Sequence, residues 1–581
     1  MTQFSTKGTT AVGLLDRVAA RLSWQRGRVT ALIAQPAPRG TGQFARGKQM
    51  LAGNLLIAGE LLDCQSGVLF KARTPQAVDA LHSFDWLDHL AAVGDRDARL
   101  LAQQGLADWL AQYGRGAGPG WVPGLAGRRL LNWISHALLL MQGQDKAFQD
   151  RFLQALAHHA MFLARRAHRA PPGLARIEAY CGLLYAALTL EGWEVRRETS
   201  LRALIAAADA QIGPDGGIAS RNPEELLEIV VLLASALRVM DELGHATQNR
   251  ALDLLARAVS ALRMLRHADG GLARFHGGGR GNEADLVAAL AVHDALNPAP
   301  LQLGAGQVMG FARLAAGRST VIIDAAPPPV KSAPRRAHAS TLAFELTSNR
   351  RPLIVSCGDG TRLGRDWQRA SRASASHSTL SIDGYSSARF TGSGRNRLVL
   401  TDAPQHVGCE FRHTSYSRAV ALSHDGYLRS HGLEHTRFLD LSADGRVLSG
   451  EDMLLATGRT ARKRFDEVLA RMQGAGIPFK LRFHLHPDIE ASLDMNDTAV
   501  SIALRSGEVW VFRASGYELA LAPSVYLEKS RLKPRPSQQI VLSLRAQDYT
   551  SQINWSLAKA QETPLAMRDT VQDNPLAVPG H

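Results

Sequence analysis

Asp324-Ala325-Ala326-Pro327-Pro328-Pro329 divides the chain, because the spacing of apolar residues changes around this run. Upstream, from about Gln49 to Leu301, apolar positions recur at helical spacing. Ile177, Tyr180, Cys181, Leu184 and Leu188 form one stripe, and Leu252, Leu255, Val259 and Leu262 another. Breaks at Gly114 to Gly124, Ala170 to Gly173, Gly213 to Gly217 and Asp269 to Gly271 cut this half into successive helices. Helix pairs interrupted every roughly 40–60 residues predict stacked hairpins, either a solenoid or a closed α/α toroid. Downstream the period becomes two. Phe479, Leu481, Phe483 and Leu485 alternate with Lys480, Arg482, His484 and His486. Strands are predicted at Thr341 to Ser348, Pro352 to Ser356 and Arg397 to Thr401. Asp444-Gly445 and Ser506-Gly507 each separate two strand-like runs, which is a hairpin signal. The second half therefore reads as an antiparallel β domain, a sandwich or stacked sheets.

At about 150 residues per domain, the 581 residues suggest roughly four domains, a number that large toroids and sandwiches reduce to two. The expected division is an N-terminal arm at 1–45, a helical domain at 46–305, a β domain at 306–565 and a tail at 566–581. Hydrophobic residues make up 45% and charged residues 21%, which excludes a disordered chain and a membrane-buried one. Four scattered cysteines without a CxxC pair exclude a disulfide scaffold and a cysteine-rich zinc module. Lys+Arg minus Asp+Glu is 67 − 53 = +14, so an acidic ligand is expected. The apolar pieces of the first 30 residues are interrupted by Asp16, Arg17, Arg21, Arg26 and Arg28. No signal peptide and no membrane span are expected, and the default location is cytoplasmic, with the periplasm as the alternative.

Familiar motifs fail. Gly42 to Lys48 nearly matches a P-loop, but Gln49 stands where a magnesium-binding Ser or Thr is needed. No GxSxG or HExxH occurs, and no nucleic-acid module accompanies the 6% aromatic content.

Eight stretches, in order, resemble the heparinase II/III-like family. They are HSFDWLDHL (82–90), GRRLLNWISHALLL (127–140), RIEAYCGLLYAALTLEG (176–192), PDGGIASRNPEELLE (214–228), ADGGLARFHGG (268–278), RASASHSTLSIDG (372–384), HDGYLRSHGLEHTRFLDLSADGRVLSGED (424–452) and RFHLHPDI (482–489). The resemblance implies an N-terminal incomplete (α/α) toroid followed by a C-terminal antiparallel β-sandwich. It also implies a polysaccharide lyase that cleaves an acidic, uronate-containing glycan by β-elimination in a cleft between the two. That chemistry needs a group to neutralise the uronate carboxylate, a base for the C5 proton and an acid for the departing oxygen.

Asn222 is the candidate neutraliser, although Asn222-Pro223-Glu224-Glu225 also reads as a helix cap. The resemblance places the catalytic histidine at His377. The family's toroid tyrosine has no match, since no Tyr lies between Tyr185 and Tyr385. His276 in the loop after Gly271 is one replacement, and Tyr427 from the β half is another, with Tyr385 a further option. Arg221, Trp133 and Arg482 are the substrate-binding candidates. No cofactor is required by this chemistry. Some family members hold a structural zinc, for which His424, His484 and His486 are the candidate ligands. The expected partner is an acidic polysaccharide or oligosaccharide, with no nucleic acid, and the oligomeric state stays open. Two other readings compete: a glycoside hydrolase on a similar toroid, and a non-catalytic acidic-glycan-binding protein.

Overall fold

The computed structural model describes residues 12–24, 29–38, 40, 42–64, 71–296, 301, 306–390, 398–514 and 516–561. The expected tail and the first residue of the expected strand at Arg397 lie outside them. The chain splits into two compact units. One holds residues 1–213, 225–260 and 284–299; the other holds 214–224, 261–283 and 300–581. Two short segments from the helical part of the sequence thus belong to the compact unit of the strands.

The first unit is an incomplete (α/α) toroid. Its helices begin where the sequence supplies caps. Thr74 accepts from the Ala77 N–H at 3.3 Å, Asp95 from Ala98 at 2.8 Å and Asp145 from Phe148 at 2.7 Å. They start Pro75–Ser83, Arg96–Tyr113 and Lys146–Arg166. The core is unusually polar. The Arg129 guanidinium is buried against the Trp109 ring at 4.3 Å, and it donates to His159 Nε2 (2.8 Å), the His82 carbonyl (2.9 Å) and the Gly120 carbonyl (3.0 Å). A buried cation needs such full satisfaction. Much of the histidine in this half is therefore structural.

Trp133 belongs to the same cluster and is not a substrate platform. It is fully buried, with ring centroids 5.2 Å from Phe84, 5.1 Å from Trp109 and 4.8 Å from His159. The P-loop-like glycines also have a packing reason. A Cβ on Gly42 would lie 1.7 Å from the Asp88 carbonyl oxygen, and one on Gly47 2.2 Å from that of His89. Phe44–Leu51 and Leu87–Val93 are the two helices brought close there. Among the described residues, no helix is long and apolar enough to cross a membrane.

The second unit is an antiparallel sandwich. Among the described residues, one sheet runs in the order Val407–His413, Ser417–His424, Glu434–Ser442, Val447–Leu455, Thr550–Gln561, Val509–Arg513, Ala499–Leu504, Ile489–Asp494. The other runs Glu518–Tyr526, Arg535–Ala546, Ile477–Leu485, Arg351–Val355, Phe344–Ser348, Ser319–Asp324, Phe311–Ala316, with Leu380–Ile382 also paired to Ile477–Leu485. Both hairpins read from the sequence are present. The strands start earlier than the proline run, since Phe311–Ala316 and Ser319–Asp324 precede it. The inner faces meet in a core containing Phe344, Phe483, Phe512 and Trp555, whose rings lie 4.7–6.1 Å from one another where they pair.

A polar network crosses this core. Asp452 accepts from Arg437 Nε at 2.8 Å and from Trp555 Nε1 at 2.9 Å, and it pairs with His435 Nε2 at 2.7 Å. His435 Nδ1 lies 3.2 Å from His424 Nε2. Burial alone would raise the Asp452 carboxyl, but Arg437 and His435 override it and hold it down at about 2. His424 is thereby committed to the sheet.

Candidate active site

Strand Ser319–Asp324 ends with a carboxylate inside an apolar run, and that residue organises the region. Asp324 is fully buried and needs partners. Arg221 Nη2 lies 2.5 Å from Oδ1, the Ser340 hydroxyl donates to Oδ2 at 2.6 Å, and His276 Nε2 is 3.4 Å from Oδ2. Burial would raise the Asp324 carboxyl. The Arg221 charge, with His276 and Ser340, overrides it and holds it well below the usual carboxylate range.

Arg221 is a structural clamp, which corrects its reading as a substrate contact. Its remaining donors go to the carbonyls of Met309 (2.9 Å), Ala326 (3.0 Å), Pro327 (2.9 Å) and Gly310 (2.7 Å). The guanidinium is occupied on every side and buried, so no glycan carboxylate can use it. Both Arg221 and His276 have left-handed backbones, with φ of 54° and 49°. Such strain costs about 1–3 kcal/mol for a non-glycine residue and persists only where surrounding bonds over-determine it. Here those bonds converge on Asp324.

From this anchor a line of side chains extends. Asn222 Nδ2 donates to the His276 carbonyl at 3.4 Å, and its Oδ1 accepts from the Glu224 N–H at 3.0 Å. The cap role is therefore present, and the same side chain touches the site. The His338 N–H donates to His276 Nδ1 at 3.2 Å, so the proton of neutral His276 sits on Nε2, toward Asp324. His338 Nδ1 meets His377 Nε2 at 3.2 Å, and His377 Nδ1 meets the Ser356 hydroxyl at 3.0 Å. The far nitrogen of His338, Nε2, is buried without a hydrogen-bond partner among the described residues. The unpartnered end of the line thus belongs to His338, which sequence reasoning missed, while both nitrogens of His377 are engaged.

Arg372 holds the loop that carries His338. It donates to the carbonyls of Ala337 (2.8 Å), Leu398 (2.6 Å) and Pro334 (2.8 Å), and Ser374 Oγ donates to that of Ala339 at 2.7 Å. Burial pushes the imidazoles of His276, His338 and His377 down, His377 to about 3. All three are neutral near pH 7, so the His338 Nδ1–H can donate to His377 Nε2 and the His377 Nδ1–H to the Ser356 hydroxyl. Lys529 brings a half-buried positive charge beside this group; it pairs with Glu224, which also accepts from the Gly279 N–H at 2.9 Å.

The structure thus brings Asn222, His276 and His377 together and leaves the other candidates elsewhere. The Tyr427 hydroxyl donates to the Leu380 carbonyl at 3.0 Å, and its ring lies 5.4 Å from His424. Burial pushes that phenol far up, which removes it as a base. Arg482 is half-buried and donates to Ser381 Oγ at 2.6 Å. The proposed zinc ligands do not converge. His424 joins His435, His484 Nδ1 faces Ser524 Oγ at 2.8 Å and Cys357 at 3.5 Å, and His486 Nδ1 lies 3.6 Å from Asp488. Among the described residues, no group of three or more His, Cys, Asp or Glu is arranged to hold a metal ion. These residues do not fit the zinc that the resemblance suggested.

The double position of Asn222 gives a test. Asn222→Ala is expected to cost about 0.5–2 kcal/mol of stability through the lost cap. It is also expected to lower turnover by more than that loss explains. Denaturant titration alongside rate measurement separates the two; a purely structural residue would leave the rate unchanged.

Comparison with known proteins agrees with this architecture. Residues 298–556 match the family described as Heparinase II/III-like, C-terminal. Over 545 residues the chain is 31% identical to FtsZ-localized protein C of Caulobacter vibrioides (strain NA1000 / CB15N), covering 92% of this chain and 91% of that protein. Among solved structures it is similar to heparinase III, with a TM-score of 0.66, 14% identity and coverage of 94% and 89%. A heparan sulfate lyase HepC mutant from Pedobacter heparinus gives 0.57, 14%, 97% and 94%. At these identities the solved structures show a shared fold.

Proposed function

The chain belongs to the heparinase II/III-like family, and on that premise we propose that it is a carbon–oxygen lyase acting on an acidic, uronate-containing glycan. The observation that carries this reading is the unpartnered Nε2 of His338 at the end of a neutral histidine line, beside Asn222. In β-elimination the C5–H and C4–O bonds break and a C4–C5 double bond forms. His338 Nε2 takes the C5 proton and returns it to the departing oxygen, which balances the reaction without an outside acid. His338 holds the proton as a transient imidazolium, whose Nδ1–H donates to His377 Nε2, itself oriented by its Nδ1 contact with Ser356. Asn222 donates toward the uronate carboxylate, and Lys529 supplies nearby positive charge, so that the carbanion is stabilised where it develops. His276 takes no proton in this scheme, because its Nδ1 is bonded to the His338 backbone. It orients that backbone.

The +14 charge supports an anionic substrate and does not choose among polyuronates. A panel of acidic polysaccharides, read by the ultraviolet absorbance of the unsaturated uronate product, is expected to yield at least one substrate. New reducing ends without that absorbance would replace the reading by hydrolysis. Saturable binding without either product would replace it by glycan binding alone.

The 31% identity to FtsZ-localized protein C favours a second reading of where the chain works. By that relationship it would localise with FtsZ. Co-sedimentation of the purified chain with FtsZ polymers tests this, and a chain that stays in the supernatant overturns it.

A further inference from the structure

The turn after strand Leu380–Ile382 presents Tyr385, a residue that takes no part in the histidine line. It is 43% exposed, yet its ring is fixed. His431 meets that ring edge-on at 4.6 Å, and the Arg389 guanidinium lies 5.8 Å from its centroid. The Tyr385 N–H donates to the Ile382 carbonyl at 2.9 Å. His431 closes the short helix Leu428–His431, and this helix lies against helix Gly458–Arg471. A Cβ on Gly432 would come within 2.1 Å of the Ala461 carbonyl oxygen. The contact brings Arg464 to the same corner, where its Nε donates to the Ser430 carbonyl at 3.2 Å. Burial first, then the charges of Arg389, Arg464 and Arg471, push the His431 imidazole down to about 4. Cations outnumber acids here. Arg389 and Arg429 share Asp402, Arg464 pairs with Glu467 at 3.1 Å, and Arg471 pairs with no carboxylate among the described residues. Asp383, the acid of the turn itself, acts on Arg482.

An exposed aromatic ring, held rigid beside guanidinium groups in excess, matches one ligand chemistry. The C–H face of a pyranose is apolar and covers an aromatic face, while the carboxylate of a uronate answers an arginine. We propose that Tyr385 is the stacking platform of a second glycan subsite, with Arg389 and Arg471 supplying the positive charge for a uronate carboxylate. A ring already fixed by its neighbours loses little freedom when a sugar covers it. The turn is also joined to the candidate active site. The Ser374 N–H donates to Ser386 Oγ at 3.0 Å, the Ser387 N–H donates to Ser374 Oγ at 3.0 Å, and Ser374 Oγ donates to the carbonyl of Ala339, next to His338. A polymer held at Tyr385 is thus anchored on the framework that carries His338. One ring and its flanking charges fall far short of the roughly 20–30 residues a side of a stable protein interface. The inference rests on the glycan part of the function proposed above and adds a holding point to it, at which the Tyr385 phenol moves no proton.

Electrophoresis of the full chain through gels containing polygalacturonate, alginate, hyaluronate or heparin tests it, read beside the formation of unsaturated product. The wild-type chain is expected to be retarded by at least one of the four. Tyr385→Ala is expected to weaken that binding about fivefold or more, and Arg471→Ala, at an exposed position, to do likewise. Tyr385→Phe is expected to keep the affinity, because the ring and not the hydroxyl makes the contact. On a polymer that yields product, Tyr385→Ala is expected to raise KM and leave kcat unchanged. Unchanged affinity in Tyr385→Ala overturns the proposal, whether or not product forms. Retardation that is lost in Tyr385→Ala, with no product from the wild type, upholds the subsite and replaces the lyase reading by glycan binding alone. A fall of kcat in Tyr385→Phe would put the phenol in the chemistry and overturn the platform role. So would a wild-type chain that binds none of the four polymers, or one that binds single-stranded DNA more tightly than any of them.

Discussion

Replacing His338 by Ala is expected to lower lyase turnover about 10²–10⁴-fold, the range typical of losing a positioned proton-transfer group. The effect should exceed that of His377→Ala, because His338 carries the buried nitrogen without a hydrogen-bond partner and His377 only tunes it. A buried imidazole cut to a methyl also leaves a cavity, so His338→Gln provides the control. It keeps most of the volume and cannot act as a base. The glutamine variant is expected to unfold at nearly the wild-type denaturant midpoint and to lose turnover to the same extent as the alanine variant. Turnover near wild type in the glutamine variant would remove His338 from the chemistry.

The pH profile gives a second readout of the same assignment. A base must be unprotonated to act. Burial first, then the neighbouring His377 and Arg372, hold the His338 imidazole well below its usual range. The acidic limb of kcat/KM is therefore expected below pH about 6.5, the ordinary imidazole value. Activity should persist into mildly acidic buffer and fall only as His338 gains its proton. An acidic limb at or above the ordinary value would point to a different, more exposed group.

How far the chain could be read in advance depends on whether a signal was local. The change of period at 324–329 and the Gly-containing turns at 444–445 and 506–507 are local, and the two architectures follow from them. Ser319–Asp324 escaped because every residue in it is buried, so no alternation marks it as a strand. Ala-rich Phe311–Ala316 likewise reads as easily as helix. The cap at Asn222 was legible because its partner lies two residues on. The fate of Arg221 was not, because its carboxylate partner lies 103 residues away. His338 carried no periodic or motif signal. Its weak mark was a histidine between a proline-rich break and an apolar strand, in a loop that has to be held by something. Trp133 shows the opposite case: the expected substrate contact is core, because the ring is fully buried.

Asp324→Asn tests the anchor beneath the site. The substitution keeps the shape and removes the charge that balances Arg221 in a fully buried position. Breaking such a pair from one side typically costs about 3–5 kcal/mol, because the remaining ion stays desolvated and alone. At 2–4 °C per kcal/mol for a domain of this size, the melting temperature is expected to fall by about 6–20 °C. The left-handed backbones at Arg221 and His276 lose their main restraint with it, so activity should fall even below the new melting point. The acid dependence follows from the depressed carboxyl. The wild-type contribution is fully present above the unfolded value of about 3.9 and is lost as pH falls through the lower folded value. The variant should lack that extra loss below pH about 4. Arg221→Met combined with Asp324→Leu removes both charges and is expected to recover part of the stability without the activity, since apolar replacement of a buried pair is often neutral or better. If Asp324→Asn stays within about 0.5 kcal/mol of the wild type, the usual range for an uninvolved surface change, Asp324 is not the anchor.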